Sequence, residues 1–240
     1  MLYLIGAGLW DEKDISIKGM EIAKKCNKVF IEKYTSLWKG DLESLGINAE
    51  IVEREDLEDN INKILENAKE KDVALLVPGD PLVATTHNSI LIDAKKLGIK
   101  TEIIHSSSIF SAIGETGLQI YKFGKVSTIP YYYSEAPYNL LEDNLKQDAH
   151  TLFLLDITKE KLMTCGEGLK ILLDLEAKFK KNLLSEETEV VVFCKAGSKE
   201  QILKYDKIKN LLNLDCFLCV IIIPGKLHFL EKEYLDSLRD

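Results

Sequence analysis

The sequence predicts an α/β protein with two domains. In the first half, apolar runs of strand length alternate with amphipathic helical segments, and such alternation requires parallel strands joined by right-handed crossovers. The pattern changes near residue 125. A chain of 240 residues, 46% of them hydrophobic, is long enough for two domains of about 100 to 150 residues each. We therefore predict an N-terminal α/β domain at residues 1–122 and a C-terminal α/β domain at residues 123–240.

Hydrophobic spacing defines the elements of the first half. Continuous apolar runs predict buried strands, whereas apolar residues three and four positions apart predict helices. The segment 57–69, for example, has Ile61 and Leu65 on the same helical face. In order, the predicted elements are a strand at 2–5, a helix at 15–26, strands at 29–31 and 51–52, a helix at 57–69, a strand at 73–77, a helix at 90–97 and a strand at 101–104.

The second half gives fewer helical signals. Apolar runs predict strands at 126–129 and 151–156, separated by a helix-poor loop. Apolar spacing then predicts a helix at 169–179. The remaining predicted elements are strands at 189–193 and 219–225 and a closing helix at 227–238.

Composition argues against several classes of protein. The net charge of −8 is the opposite of what a broad nucleic-acid footprint requires. The chain lacks an apolar run of about 18 residues, and its first strand begins at Leu2, so we expect neither a membrane span nor a signal peptide. We therefore expect a cytoplasmic protein.

Five cysteines are scattered along the chain, at positions 26, 165, 194, 216 and 219. Cys216 and Cys219 form a Cys-x-x-Cys sequence, but a second pair does not accompany it and its flanking residues are apolar. We expect buried thiols in or near a strand rather than a zinc or redox site, and we predict no metal.

Three turns that follow predicted strands contain the candidate site. The first contains Gly6 and Gly8, the second spans residues 78–81, and the third spans residues 105–108. A dinucleotide fingerprint would need a third glycine where Asp11 stands, so a Rossmann cofactor site is disfavoured. Each turn alone has an ordinary structural explanation, a tight turn or a helix cap. Together they would lie at one edge of a parallel sheet, where ligands of open α/β sheets bind.

Longer segments of the chain match a known family. The strings Ala-Thr-Thr-His at residues 84–87 and Leu-Gln-Ile-Tyr-Lys-Phe-Gly at residues 118–124 are typical of the diphthine synthase family. This family is part of the tetrapyrrole-methylase-like group of S-adenosylmethionine-dependent methyltransferases, which shares the Gly-Asp-Pro after a strand. The chain resembles the diphthine synthase family from end to end. The other matching segments are residues 1–9, 32–36, 79–81, 105–109, 150–157 and 224–228.

The resemblance implies a two-domain tetrapyrrole-methylase-like fold with S-adenosyl-L-methionine in the cleft between the domains. The N-terminal domain would hold a parallel sheet and the C-terminal domain a mixed sheet. Asp80 would contact a positive or hydroxyl part of the cofactor, or serve as a structural turn carboxylate. Near Leu218 the family often has Pro-His-Ser, which this chain lacks, so a backbone contact is expected there. The implied cofactor contacts are Leu9, Asp80, Val83, Ser108, Ile109, Leu155, Phe193 and Leu218.

The resemblance also implies a reaction of diphthamide biosynthesis. Its substrate would be the aminocarboxypropyl-histidine of translation elongation factor 2, methylated repeatedly at the amino group to give diphthine and S-adenosyl-L-homocysteine. An amine accepts a methyl group only when deprotonated. Tyr34, His87 and His105 lie next to the turns and are candidate proton acceptors, although each is also explained as an ordinary wall or core residue, and we assign no catalytic residue.

The sequence leaves other functions open. The same fold could methylate a tetrapyrrole or ribosomal RNA, or the chain could be a non-catalytic module that binds an adenosine-type ligand. Proteins of this fold are commonly homodimers, and we expect one here. The tyrosines at 131–133 could hold a protein substrate or form a dimer interface.

Overall fold

A computed structural model describes residues 1–58 and 60–239 of the chain. Its contacts divide the chain into two compact units, Met1–Ala112 (unit 1) and Ile113–Asp240 (unit 2). Residues 113–122, which the sequence pattern groups with the first half, thus cluster with the second. None of the helices in the described part of the chain has the length and apolarity needed to cross a bilayer.

Unit 1 is built on a parallel sheet of five strands in the order β3-β2-β4-β1-β5. Leu4 pairs with Leu75 and packs on one face, whereas Ile5 pairs with Leu76 and packs on the other. Both faces are covered, which explains why these strands appear in the sequence as continuous apolar runs. The strands are β1 Leu2–Gly6, β2 Lys28–Glu32, β3 Ala49–Val52, β4 Val73–Val77 and β5 Thr101–Ile104.

Helices connect the strands of unit 1. The first begins at Ile17 because the Ser16 hydroxyl accepts a hydrogen bond from the Gly19 amide, at 3.1 Å. The helices are α1 Ile17–Lys25, α2 Arg54–Glu58, α3 Asn62–Glu70, α4 Asn88–Lys96 and α5 Ile109–Ala112, with short 3-10 turns at Glu12–Asp14 and Glu43–Leu45.

The prediction of one helix at 57–69 is wrong. Two helices occupy this region, and they meet around Asn60, whose amide donates to the Glu55 carbonyl at 3.0 Å. A bond that reaches back five residues closes the end of a helix. The Lys63 amide then bonds to the Asn60 carbonyl at 3.4 Å, where the next helix starts.

Unit 2 is built on a mixed sheet of five strands in the order β6-β7-β10-β8-β9. The first pair is parallel and the other three pairs are antiparallel. The strands are β6 Ser127–Ile129, β7 Thr151–Leu155, β8 Glu189–Cys194, β9 Ile202–Lys207 and β10 Cys219–Ile223, and the helices are α6 Ala136–Leu145, α7 Cys165–Phe179, α8 Ile208–Leu211 and α9 Phe229–Ser237. Together the two sheets confirm the predicted fold class.

Two elements of unit 2 differ from the prediction. The segment expected as a helix-poor loop contains α6, which Pro137 opens in its first turn and which buries Tyr138 and Leu141 completely. Strand β9 was not predicted, because it lies at the edge of the sheet and carries charged residues such as Lys204 and Asp206.

The sequence led us to expect that the cysteines of unit 2 are buried thiols, and for two of them this prediction is wrong. Cys194 at the end of β8 and Cys219 at the start of β10 form a disulfide. Cys165 and Cys216 are buried thiols, and Cys26 of unit 1 is a partly buried one. The pairing was missed because it depends on strand register rather than on the Cys-x-x-Cys spacing.

Candidate functional site

The glycine turns after β1 and β4 are bonded to each other. The Gly79 amide donates to the Gly8 carbonyl at 2.7 Å, and the Gly8 amide donates to the Gly79 carbonyl at 3.2 Å. Both residues have positive φ angles, 78° for Gly8 and 71° for Gly79. A Cβ on Gly8 would lie 2.2 Å from the Cβ of Asp14, so only glycine fits there. Two of the three predicted turns therefore meet.

The carboxylate of Asp80 joins the third turn to the second. Its Oδ2 accepts from the Ser106 amide at 3.2 Å and lies 2.8 Å from Nδ1 of His105, while its Oδ1 accepts from the Leu82 amide at 3.1 Å. Asp80 is only 5% exposed. At the same edge, a Cβ on Gly6 would lie 2.6 Å from that of Ser106. All three turns thus form one continuous edge of the unit 1 sheet, as predicted.

The sequence did not reveal two residues that support this edge. Asp14 accepts from the Trp10 amide at 2.7 Å through Oδ2, and its carbonyl accepts from the Ser106 hydroxyl at 3.1 Å. Trp38 is 3% exposed and donates from Nε1 to the carbonyl of Ala7 at 3.1 Å. Of these two residues, only Asp14 has a recognisable sequence pattern, because it is the last residue of an Asp-x-x-Asp capping box at a 3-10 turn.

The predicted cofactor contacts of unit 1 surround the edge with different degrees of burial. Leu9, Val83 and Ile109 are partly exposed, whereas Ser108 is buried. The Ser108 amide donates to the hydroxyl of Ser111 at 3.0 Å, and the Ser108 carbonyl accepts at the start of α5. The first three therefore offer accessible apolar surface. Whether these side chains touch a cofactor stays a prediction.

A second polar cluster lies at the ends of the neighbouring strands β2 and β4. His87 is 1% exposed, and its Nδ1 lies 3.1 Å from the carbonyl of Pro81. Because a carbonyl only accepts, Nδ1 carries the proton, and Nε2 accepts from the Tyr34 hydroxyl at 3.3 Å. Burial lowers the pKa of His87 and raises that of Tyr34. His87 is therefore neutral with both ring nitrogens engaged.

Glu32 anchors the loop that carries Tyr34. Its Oε2 accepts from the amides of Tyr34 and Thr35 at 3.0 and 3.1 Å, and its Oε1 accepts from the Thr35 hydroxyl. Glu32 is completely buried, and this burial raises its pKa despite those hydrogen bonds. The cluster thus holds Tyr34 against His87.

Comparison with known proteins assigns this chain to a family. Residues 1–212 match the family model of the tetrapyrrole (corrin/porphyrin) methylases. The chain is 47% identical to the diphthine synthase of Methanococcus maripaludis and 46% identical to that of Methanocaldococcus jannaschii, each over 99% of this chain and 98% of the relative. The chain belongs to the diphthine synthase family of tetrapyrrole methylases. It is therefore a methyltransferase.

A solved structure supports the same assignment. A crystal structure of diphthine synthase aligns with a TM-score of 0.90 and 40% sequence identity, covering all 100% of this chain and 96% of that one. The fold and the family are thus established by both sequence and structure.

Three residues of this methyltransferase are candidate proton acceptors. His105 differs from the other two, Tyr34 and His87, in the exposure of its side chain. Its side chain is 69% exposed, whereas the Asp80 carboxylate that holds Nδ1 is 6% exposed. Because an ionised carboxylate only accepts, Nδ1–H donates to Asp80 and the lone pair of a neutral ring lies on Nε2. Within the described residues, Nε2 has no hydrogen-bond partner. This nitrogen alone of the candidates is accessible to accept a proton.

The predicted contacts of unit 2 lie on three different strands or their ends. Leu155 ends β7, Phe193 lies in β8 and is completely buried, and Leu218 immediately precedes β10. Leu218 has a φ of 53°, and its carbonyl accepts from the Lys195 amide at 2.9 Å. A further contact through that carbonyl would use its second lone pair. The contacts of these three residues with a cofactor stay predictions.

The tyrosine run of unit 2 lines a groove of about 330 Å³. Tyr132 and Tyr133 are 74% and 60% exposed, and the ammonium of Lys178 lies 4.1 Å from the ring centroid of Tyr133. Leu175 contributes to the apolar wall. Both roles suggested for these tyrosines, holding a protein substrate or a second copy of the chain, stay predictions.

Proposed function

We propose that this enzyme transfers methyl groups from S-adenosyl-L-methionine to the amino group of the aminocarboxypropyl-histidine of translation elongation factor 2. Repeated transfer would give diphthine, an intermediate of diphthamide biosynthesis, and S-adenosyl-L-homocysteine. The observation that carries the proposal is the similarity to two diphthine synthases over 99% of the chain. The enzyme would act in the cytoplasm and as a homodimer.

The chemistry of unit 1 suits such a cofactor. The molecule combines apolar and polar parts, an adenosine, an ammonium, a carboxylate and the sulfonium that carries the methyl group. Leu9, Val83 and Ile109 offer apolar surface around the edge, and Ser108 with Asp80 offers polar groups. Asp80 has three of its four lone-pair sites occupied by protein donors, which leaves one for a hydroxyl or ammonium.

The cofactor contacts proposed for this chain include residues of both units. Those of unit 1 are supported by the edge that the three turns form. Those of unit 2 rest on the family resemblance. The proposed set is Leu9, Asp80, Val83, Ser108, Ile109, Leu155, Phe193 and Leu218.

Methyl transfer requires alignment more than acid–base groups. Orientation of two reactants can supply about 7 to 11 kcal/mol of the barrier, so the enzyme needs no nucleophilic triad. An ammonium has no lone pair, so it must lose a proton before its nitrogen can attack the methyl group. We assign this proton to Nε2 of His105, because the buried carboxylate of Asp80 orients the ring and stabilises the imidazolium that forms.

The test is methyl transfer from labelled cofactor to purified elongation factor 2 that bears the aminocarboxypropyl-histidine, followed by intact mass. Stepwise gains of one methyl unit, absent when that histidine is replaced, are expected, and they count the transfers. Tight binding of the cofactor without a mass gain would contradict the proposed substrate. A tetrapyrrole or an RNA would then be the next acceptors to test.

The proton assignment is tested with His105→Gln, which keeps a polar side chain but removes the basic nitrogen. We expect turnover to fall on the order of 100-fold, with recovery as pH rises, because hydroxide or solvent then takes the proton. His228→Gln is the matched control, since His228 is exposed at the start of α9. Equal turnover of the two variants would exclude His105 as the acceptor and leave the overall reaction intact.

A further inference from the structure

Strand register brings two distant cysteines together in unit 2. Strands β8 and β10 are antiparallel, and Cys194 lies directly opposite Cys219. Side chains of opposite residues point to the same face of the sheet, where they can contact each other. A slip of one residue would send one of them to the other face. The disulfide between them therefore follows from the register of the core sheet.

A third sulfur lies beside this pair. The Sγ atoms of Cys194, Cys216 and Cys219 all lie within 4.8 Å of one another. Two backbone bonds hold the loop that carries Cys216, one from the Cys165 amide to the Cys216 carbonyl and one from the Lys195 amide to the Leu218 carbonyl, both 2.9 Å. The position of Cys216 next to the disulfide is thus built into the fold.

We propose that Cys194, Cys216 and Cys219 form a reversible thiol–disulfide site. Oxidation by a low-molecular-weight disulfide would convert two protein thiols and R–S–S–R into the Cys194–Cys219 bond and two molecules of R–SH. The thiolate of Cys216 can then attack either bonded sulfur, so that one S–S bond forms, one breaks and the displaced sulfur leaves as a thiolate. This exchange involves no net oxidation.

The exposure of the cysteines and the charges around Cys216 determine which oxidant can react and how readily the thiolate forms. Cys216 and Cys219 are 4% and 6% exposed, which favours a small disulfide over a protein partner as the oxidant. Burial raises the pKa of the Cys216 thiol, and the carboxylates of Asp215 and Glu200 raise it further, whereas the ammonium of Lys195 acts in the opposite direction. Lys195 stays close because its ammonium lies 5.2 Å from the ring centroid of Phe217.

A metal site is the competing explanation for three converging sulfurs. Structural zinc takes four protein ligands in a tetrahedral arrangement. Within residues 1–58 and 60–239, no fourth His, Cys, Asp or Glu joins the three cysteines. Two of the three sulfurs are moreover bonded to each other. The geometry therefore favours redox chemistry over metal binding.

The experiment counts thiols in the intact protein. The full chain is incubated with oxidised glutathione or with dithiothreitol, alkylated under denaturing conditions, and analysed by intact mass and peptide mapping. We expect three alkylated cysteines in the oxidised sample, Cys26, Cys165 and one of the three clustered cysteines, and all five in the reduced one. Five alkylated cysteines in both samples would overturn the proposal. So would a stoichiometric zinc ion, measured by elemental analysis, in a protein whose cysteines resist oxidation.

Single substitutions test the role of the third sulfur. In Cys219→Ser, oxidation is expected to join Cys194 to Cys216, because the sulfurs lie within 4.8 Å. Cys26→Ser is the control, since Cys26 lies in unit 1, and the Cys194–Cys219 bond should form in it unchanged. Four alkylated cysteines in oxidised Cys219→Ser, with Cys194 and Cys216 among them, would remove Cys216 from the site.

The redox state of the disulfide should also affect cofactor binding, an expectation that rests on the proposed function. Cys194 follows Phe193 of β8, and Cys219 follows Leu218, which immediately precedes β10; Phe193 and Leu218 are both predicted cofactor contacts. We expect S-adenosyl-L-homocysteine to bind the oxidised form several-fold more tightly than the reduced form by calorimetry, because the bond fixes both strand ends. Equal affinities would refute this coupling. Binding to neither form would contradict the proposed function, and the thiol count would still decide the disulfide.

Discussion

Nδ1 of the exposed His105 lies 2.8 Å from Oδ2 of the buried Asp80. This pair links the turn after β4 to the end of β5, and the backbone amides of Leu82 and Ser106 share the same carboxylate. A single acidic side chain therefore orients an imidazole and joins two turns. Substitution of Asp80 tests its structural role, and substitution of His105 tests the chemical role of the pair.

Replacing Asp80 with Asn is expected to destabilise the protein. The amide keeps the shape of the carboxylate but offers one acceptor oxygen instead of two, so at least one of the three donors to Asp80 loses its partner. Loss of a charge-assisted bond in a buried position costs about 1–3 kcal/mol of unfolding free energy, which urea titration would measure. Asp93→Asn, which breaks only an exposed pair with Lys96, should change it by less than about 0.5 kcal/mol. Equal effects of the two would contradict the bonding described for Asp80.

Gly8 is expected to tolerate no side chain, whereas Gly46 should tolerate alanine at modest cost. Both have positive φ angles, 78° and 73°, so alanine at either position costs about 1–2 kcal/mol of backbone strain. A Cβ on Gly46 meets nothing within 4 Å, but one on Gly8 would meet Asp14 at 2.2 Å, which adds about 1–3 kcal/mol. Thermal unfolding of Gly8→Ala and Gly46→Ala compares the two directly. Similar melting temperatures would show that the turn rearranges.

Much of unit 1 could be predicted from the sequence, because its strands are buried on both faces. Strands of this kind are continuous apolar runs, and parallel topology places their carboxyl ends at one edge. The meeting of Gly8, Gly79 and Asp80 follows from that topology alone. The supporting contact of Trp38 with Ala7 joins residues 31 positions apart and has no local signal.

Unit 2 was harder to predict for physical reasons. Helix α6 has in its first turn a Pro that also fits a loop, and the edge strand β9 carries charged residues that weaken its apolar pattern. The bond between Cys194 and Cys219 depends on the register of two strands that lie 25 residues apart. Register is a property of the folded sheet, and sequence spacing does not contain it.

Removal of the Tyr34 hydroxyl should leave a buried nitrogen without a partner. In Tyr34→Phe, Nε2 of His87 loses the donor at 3.3 Å while remaining buried. An unsatisfied buried acceptor costs about 1–3 kcal/mol, and chemical denaturation would detect it. Tyr121→Phe serves as the control, because Tyr121 is 83% exposed and should change stability little. If both variants unfold alike, water replaces the lost hydroxyl.

Two buried histidines should make the protein less stable as pH falls through about 6.5. Burial lowers the folded-state pKa of His87 and of His150, so the unfolded chain binds more protons in this range. Each contributes stability that is present above its unfolded pKa and lost below it, with a slope of up to about 1.4 kcal/mol per pH unit. Glu32, whose pKa burial raises, acts in the opposite sense, since its contribution is lost as pH rises. Wild-type stability alone therefore does not isolate the histidines.

The variant His150→Gln isolates one of them. Glutamine can accept from the Gly225 amide and donate to Glu231, as the imidazole does, but it cannot take up a proton. Urea titrations between pH 8 and 5.5 should show a shallower loss of stability in this variant than in the wild type. His228→Gln, at an exposed position, is the matched control. An unchanged slope in His150→Gln would show that His150 does not titrate on unfolding.

Glu231 should be the most sensitive carboxylate of unit 2. It is 1% exposed and accepts from the Gln119 amide, the His228 amide, the Lys122 ammonium and His150. These bonds, led by the one from Lys122, lower its pKa to about 2 despite burial. Its folded pKa is below its unfolded one, so its contribution is present above about pH 4.5 and lost as pH falls toward 2.

Replacing Glu231 with Gln should therefore cost stability at neutral pH and little in acid. Breaking a buried ion pair costs about 3–5 kcal/mol, and we expect roughly 2–3 because the Lys122 side chain remains 23% exposed. Urea titration at pH 7 and at pH 3 measures the difference, which should shrink because the Glu231 carboxylate of the unfolded wild-type chain takes up a proton below about pH 4.5. The exposed Glu233 gives the matched control, since Glu233→Gln lies on the same helix and should change stability by less than about 0.5 kcal/mol. A loss in Glu231→Gln that is independent of pH would mean that its hydrogen bonds, rather than its charge, hold residues 119–122 against α9.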